Sequence, residues 1–125
     1  MLAQSIYHTV QRYRTLHTNR ISSLPVVILM PHSACNCKCV MCDIWKSNHN
    51  LKQLSRQDME GLLGTLKKME TQQVVMSGGE ALLNPNFFEL CRIFRDEHIK
   101  VSLLSTGLLL KKHTNALLEW VNDII

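Results

Sequence analysis

Nowhere do the 125 residues hold an apolar run approaching the ~20 that a membrane-crossing helix needs. Proline and glycine are scarce, at three and five residues, which excludes collagen-like repeats and low-complexity scaffolds. Aromatic residues make up only 6%, yet apolar residues reach 46% and charged residues stay at 19%. Such a balance belongs to a folded chain and not to a disordered one. Acidic residues are missing from positions 1–24, where Arg12, Arg14 and Arg20 lie, and this local excess accounts for part of the formal charge of +4. The basic segment reads as a solvated helix face; it has the composition of a transit peptide but no evident cleavage signal. No nucleic-acid or membrane partner is expected, and the expected location is cytoplasmic.

Cysteine, by contrast, is concentrated. Four of the five cysteines, Cys35, Cys37, Cys39 and Cys42, fall within eight residues, while Cys91 stands alone. An odd total without spread does not read as a secreted disulfide framework, and a tight cluster points to a metal or redox site.

Helical spacing of Ile6, Val10, Tyr13 and His17 predicts an amphipathic lead-in helix over 4–18. Val26 to Met30 form a continuous apolar run, which predicts a strand buried on both faces. A second helix is predicted from Ser55, which with Asp58 approximates a capping box, with Leu54 at the staple position. Gln73–Met76 and Val101–Leu104 read as strands two and three. Asn84-Pro85 resemble a cap followed by proline at the first helical position, ahead of the apolar face Phe87, Leu90, Cys91 and Phe94. A last helix spans 111–122, with Leu117, Leu118 and Val121 expected inward. Asp123-Ile124-Ile125 resemble the opening of a fourth strand on an exposed edge. Alternating strands and helices predict a parallel α/β domain.

Each of the three strands ends in a short segment able to carry chemistry: the cysteine loop, Ser77-Gly78-Gly79-Glu80, and Ser105-Thr106-Gly107. Ligands bind at the carboxyl ends of parallel strands, so the three segments are expected to converge. Cys35, Cys39 and Cys42 have the spacing C-x3-C-x2-C, and thiolates favour iron–sulfur clusters, zinc or copper(I). Structural zinc commonly takes two separated C-x2-C pairs, whereas three ligands on a four-iron cube leave one iron open. The glycine pair lets a ligand approach closely, and Glu80 offers a charge suited to an ammonium group. Cys91 reads as a small core residue and His32 as a loop residue. Trp45 reads as a shield for the cluster or as packing under the loop.

With this loop and the Ser77–Glu80 segment, the sequence resembles the N-terminal half of a radical S-adenosylmethionine (radical SAM) enzyme over residues 25–125, with 1–24 as a lead-in. The resemblance implies a partial (β/α) barrel of about three βα units and the start of a fourth strand. It implies a [4Fe-4S] cluster on Cys35, Cys39 and Cys42, with Cys37 outside the ligand set. S-adenosyl-L-methionine would be the cofactor, with adenine near the Met41 backbone and the methionyl amino group at Ser77, Gly78, Gly79 and Glu80. Ser105 and Thr106 are carried over as ribose or carboxylate contacts. The departures are Met41 in a position often aromatic, Ala81 in place of a common proline, and Thr106 in place of asparagine. The implied reaction is reductive cleavage of S-adenosylmethionine to a 5′-deoxyadenosyl radical, which abstracts hydrogen from a small-molecule or peptide substrate. A flavodoxin- or ferredoxin-type electron donor is implied. That chemistry needs no general base, so none of the six histidines is assigned to catalysis. Because complete cores have six βα units, the chain is expected to be a truncated piece or to need a partner completing the barrel. The alternative is a noncatalytic iron–sulfur or zinc-binding assembly module.

Overall fold

Four short strands line up in the order in which the chain makes them. In the computed structural model, which describes residues 2–125, α1 (Leu2–Thr18) precedes β1 (Val26–Leu29), α2 (Arg56–Lys68) and β2 (Gln73–Met76). These are followed by α3 (Phe87–Asp96), β3 (Lys100–Leu103), α4 (Thr114–Trp120) and β4 (Asp123–Ile124). All strand pairs are parallel, in the order β1-β2-β3-β4. Each apolar run thus neighbours the next one in sequence, with a helix making the crossover.

Residues in register on one face, Val27 and Leu29, Val74 and Met76, Val101 and Leu103, meet the helices. Met59 and Leu66 of α2, Phe87, Leu90, Cys91 and Phe94 of α3, and Leu117 of α4 complete this core. The Ser55 capping box forms as predicted: the Ser55 hydroxyl accepts from the Asp58 N–H, and Asp58 Oδ2 accepts from the Ser55 N–H at 2.7 Å. Leu54 packs beside it against the core.

Among the described residues no helix layer covers the opposite face, as in a sector of a (β/α) barrel whose helices lie outside. The expectation that the first strand is buried on both faces is therefore corrected: Val26 is 51% and Ile28 64% exposed. A continuous apolar run told of two apolar faces, but only one is covered. Two further expectations shift. Leu118 is 80% exposed, because Leu117 takes the inward side of a short helix and Leu118 turns away. Asn86, not Asn84, holds the position before α3, without a side-chain capping bond; the Asn84 amide donates to Pro31 O at 2.7 Å and Leu54 O at 2.9 Å. Ile124 and Ile125 are exposed at the β4 edge, as predicted. Helix α1 forms, yet Ile6, Val10 and Tyr13 remain exposed. It reaches the sheet's lower end through Tyr7, whose hydroxyl donates to Glu70, and through His8 beside Gln72.

Candidate functional site

The strand ends meet at one rim. Ser77 N–H donates to Leu29 O at 2.8 Å and Leu104 N–H to Met76 O at 2.9 Å, so all three exits continue the sheet's ladder before diverging. From β1 the chain enters the cysteine loop through Pro31–Ala34, which runs beside residues 52–54: Ser33 N–H donates to Lys52 O at 2.9 Å, and Leu54 N–H to Pro31 O at 2.9 Å.

The close approach that the glycine pair permits is taken by the chain's own backbone. A Cβ on Gly79 would lie 2.0 Å from Ala34 O, and one on Gly78 would lie 3.0 Å from His32 O. Gly78 also has φ +108°, a left-handed conformation that glycine adopts without strain. The contact is sealed by the Glu80 N–H donating to Ala34 O at 2.8 Å. The two glycines therefore dock the start of the cysteine loop onto the end of β2.

Glu80 is fully buried, and its carboxylate ties the other exits together. Oε1 accepts from the Leu82 N–H at 3.2 Å, and Oε2 from the Thr106 N–H at 2.8 Å. The Ser105 hydroxyl donates to the same carboxylate, 3.0 Å from Oε2, and the Thr106 hydroxyl lies 2.6 Å from Oε2. Thr106 Oγ1 also stands 3.1 Å from the side-chain amide of Asn36, which reaches it from the cysteine loop. Each hydrogen-bond partner of this carboxylate is a neutral donor, a set that satisfies a buried carboxylate in place of water. Glu80, Ser105 and Thr106 thus come together as one network, with Asn36 as its link to the cysteines.

All five cysteines are free thiols. Cys35 Sγ accepts from the Cys37 N–H at 3.4 Å, and the Cys42 N–H donates to Cys39 O at 3.2 Å. Hydrogen bonds to sulfur of this kind tune thiolate-held clusters. Among the described residues no three His, Cys, Asp or Glu side chains gather around one point as ligands of a single ion do. Thiols on one loop are soft donors of the kind that iron–sulfur groups and zinc take. Cys91 is different in kind: burial in the α3 core pushes its thiol up to about 12, which removes it from ligand and redox chemistry. Met41 and Val40 project fully at the tip of the loop. Trp45 lies under two ammonium groups, Lys38 at 5.3 Å and Lys46 at 5.7 Å.

Several positioning residues carry no sequence signal that isolates them. Asn48 bonds the Cys35 backbone twice, accepting from its N–H at 3.0 Å and donating to its carbonyl at 2.9 Å. Asn84 and His32 likewise bond backbone groups through their side chains, whereas Asn36 meets the Thr106 hydroxyl. A polar stretch without period hides such roles. Behind the loop, Met30, His32, Ile44, Lys52, Leu54 and the glycine pair line a cavity of about 380 Å³.

The Radical SAM superfamily model matches residues 29–125. A GTP 3',8-cyclase of Shewanella denitrificans is 41% identical over 59 residues, 46% of this chain and 18% of that protein. A GTP 3',8-cyclase of Chlorobaculum tepidum is 32% identical over 89 residues, 70% of this chain and 27% of that protein. The chain thus spans 18% and 27% of the lengths of these two curated relatives. Among solved structures, BtrN in complex with AdoMet and 2-DOIA superimposes with a TM-score of 0.69 at 17% identity, covering 81% of this chain and 44% of BtrN. SuiB of Streptococcus suis bound to precursor peptide SuiA gives a TM-score of 0.69 at 22% identity, covering 94% of this chain and 28% of SuiB. At these identities the two structures speak to fold alone.

Proposed function

Because the chain belongs to the radical SAM superfamily, we propose that residues 25–125 form the cluster- and cofactor-holding sector of a radical SAM enzyme, with 1–24 as its lead-in. The family's cofactors are a [4Fe-4S] cluster and S-adenosylmethionine. Cys35, Cys39 and Cys42 hold the cluster in this reading. Ser77 to Glu80, Ser105, Thr106 and the Met41 backbone shape the nucleotide's seat. When bound, the cluster and S-adenosylmethionine supply a 5′-deoxyadenosyl radical for hydrogen abstraction from substrate.

The chain's own share is positional. The glycine pair clamps the entry of the cysteine loop to β2, and Glu80 clamps β2 to β3. Ser105 and Thr106 therefore act first through Glu80, which takes both hydroxyls and the Thr106 N–H. The observation that carries the reading is this junction: Asn36, Glu80, Ser105 and Thr106 meet although they leave three different strands. The remaining barrel, the electron donor of flavodoxin or ferredoxin type, and the peptide or small-molecule substrate complete the assignment, in a cytoplasmic setting.

Anaerobic reconstitution with iron and sulfide tests it. The expected result is four irons per chain, lost in Cys35→Ala, Cys39→Ala and Cys42→Ala and kept in Cys37→Ala. 5′-Deoxyadenosine should form with dithionite in the full protein. Zinc uptake in place of iron, or a cluster indifferent to those three changes, overturns the reading.

A further inference from the structure

His32 is a buried side chain at the rim whose second ring nitrogen the site described above leaves without a task. It is 7% exposed and lies three residues before Cys35. The Ala34 N–H donates to its Nδ1 at 3.0 Å. A ring nitrogen that accepts from an N–H carries no proton, so the neutral ring holds its proton on Nε2. The backbone on either side is held firmly: His32 bridges Gln53 in antiparallel fashion, and its carbonyl rests against Gly78. Among the described residues Nε2 finds no acceptor in the protein, and it is not among the sealed, unpartnered atoms either. His32 lines a cavity of about 380 Å³ together with Lys52, Ile44 and the glycine pair.

Ser33, Ser47 and Gln53 are the other uncharged polar side chains of this lining, and the Ser33 hydroxyl is already committed. Ser33 Oγ donates to Asn50 O at 3.3 Å and accepts from the Lys52 N–H at 2.7 Å. Met30, Ile44 and Leu54 make much of the remaining lining apolar, which strengthens any hydrogen bond formed there. Lys52 adds positive charge on the same wall.

We propose that His32 is a positioning residue with two separate tasks: Nδ1 fixes the entry of the cysteine loop, and Nε2–H donates to an anionic oxygen of the ligand beside Gly78-Gly79, the carboxylate of S-adenosylmethionine. This rests on the radical SAM reading. The wild-type protein tests that reading first, since a chain that takes up neither cluster nor S-adenosylmethionine ends both. If wild type binds both, the two isosteres of histidine decide the rest. His32→Asn places an amide oxygen near the Nδ1 position and nothing at Nε2. His32→Gln places an amide N–H near the Nε2 position and loses the Nδ1 acceptor.

The full protein, reconstituted anaerobically, is titrated with S-adenosylmethionine by calorimetry, and the Ala34 amide is followed by hydrogen exchange. His32→Asn is expected to keep exchange protection and iron content and to bind about tenfold more weakly, the loss of one hydrogen bond to a charged group. His32→Gln is expected to keep affinity within about threefold while Ala34 protection falls. With decarboxylated S-adenosylmethionine the His32→Asn penalty should vanish, as a double-mutant cycle requires. Unchanged affinity in His32→Asn overturns the proposal. So does a penalty that persists without the carboxylate, or a joint loss of protection and affinity in both variants, which would make the ring a purely structural element.

Discussion

Replacing Gly79 with alanine perturbs the rim at its tightest point. The new Cβ would sit 2.0 Å from Ala34 O, 2.5 Å from the Ala34 carbonyl carbon and 3.0 Å from Cys35 N. Real Cβ contacts stay above 3.0 Å, so the loop entry must retreat by about 1 Å. The obstructing atoms are backbone, with no flexible side chain to swing aside. A retreat of that size stretches the bond from Glu80 N–H to Ala34 O, now 2.8 Å, beyond hydrogen-bonding range. Losing that bond costs about 1 kcal/mol and the residual overpacking about 1–3 kcal/mol, together about 2–4 kcal/mol. With a urea dependence typical of small domains, the unfolding midpoint should fall by about 1–2 M. Iron uptake should fall with it, because Cys35 is carried on the displaced segment. Gly61→Ala and Gly64→Ala are the internal controls: nothing lies within 4 Å of either added Cβ. Both lie inside α2, so each should gain about 0.5–1 kcal/mol. Equal midpoints and equal iron content for Gly79→Ala and wild type would refute the docking role of the glycine pair.

Glu80→Gln must turn an amide NH2 toward the donors of Leu82, Ser105 or Thr106, and should destabilise by about 2–4 kcal/mol in urea unfolding; a neutral result would mean that the carboxylate is dispensable to the fold. Iodoacetamide at pH 8 should label four cysteines of the cluster-free native chain by mass spectrometry and reach Cys91 only after unfolding, since burial raises that thiol to about 12. Labelling of Cys91 under native conditions would show that the α3 core opens. Hydrogen bonds from the Ser55 hydroxyl and backbone lower the Asp58 carboxyl. Because its folded value lies below its unfolded one, its contribution is complete above the unfolded value near ~4 and is lost as pH falls through the lower folded value. Helical circular dichroism should therefore drop in acid for wild type, with that component missing in Asp58→Asn.

The sequence by itself determined the elements and their order. Helical faces, strand runs and the capping box at Ser55 are local, set by neighbours within four or five residues, and they formed close to where the spacing put them, apart from the start of α3 and the outward Leu118. Parallel order also followed, since consecutive strands joined by helices have few other ways to pair. Tertiary structure decided what each rim residue faces. Glu80 reads in sequence as a free charge beside two glycines, yet its partners Ser105 and Thr106 lie 25 and 26 residues further along the chain. Asn36 meets Thr106 across a separation of 70 residues, and the atoms that press on Gly79 belong to Ala34 and Cys35. The first strand's two apolar faces looked alike until only one acquired helices. A side chain's type and spacing are properties of the local chain, but its desolvation and its hydrogen-bond partners exist only once distant segments close on one another.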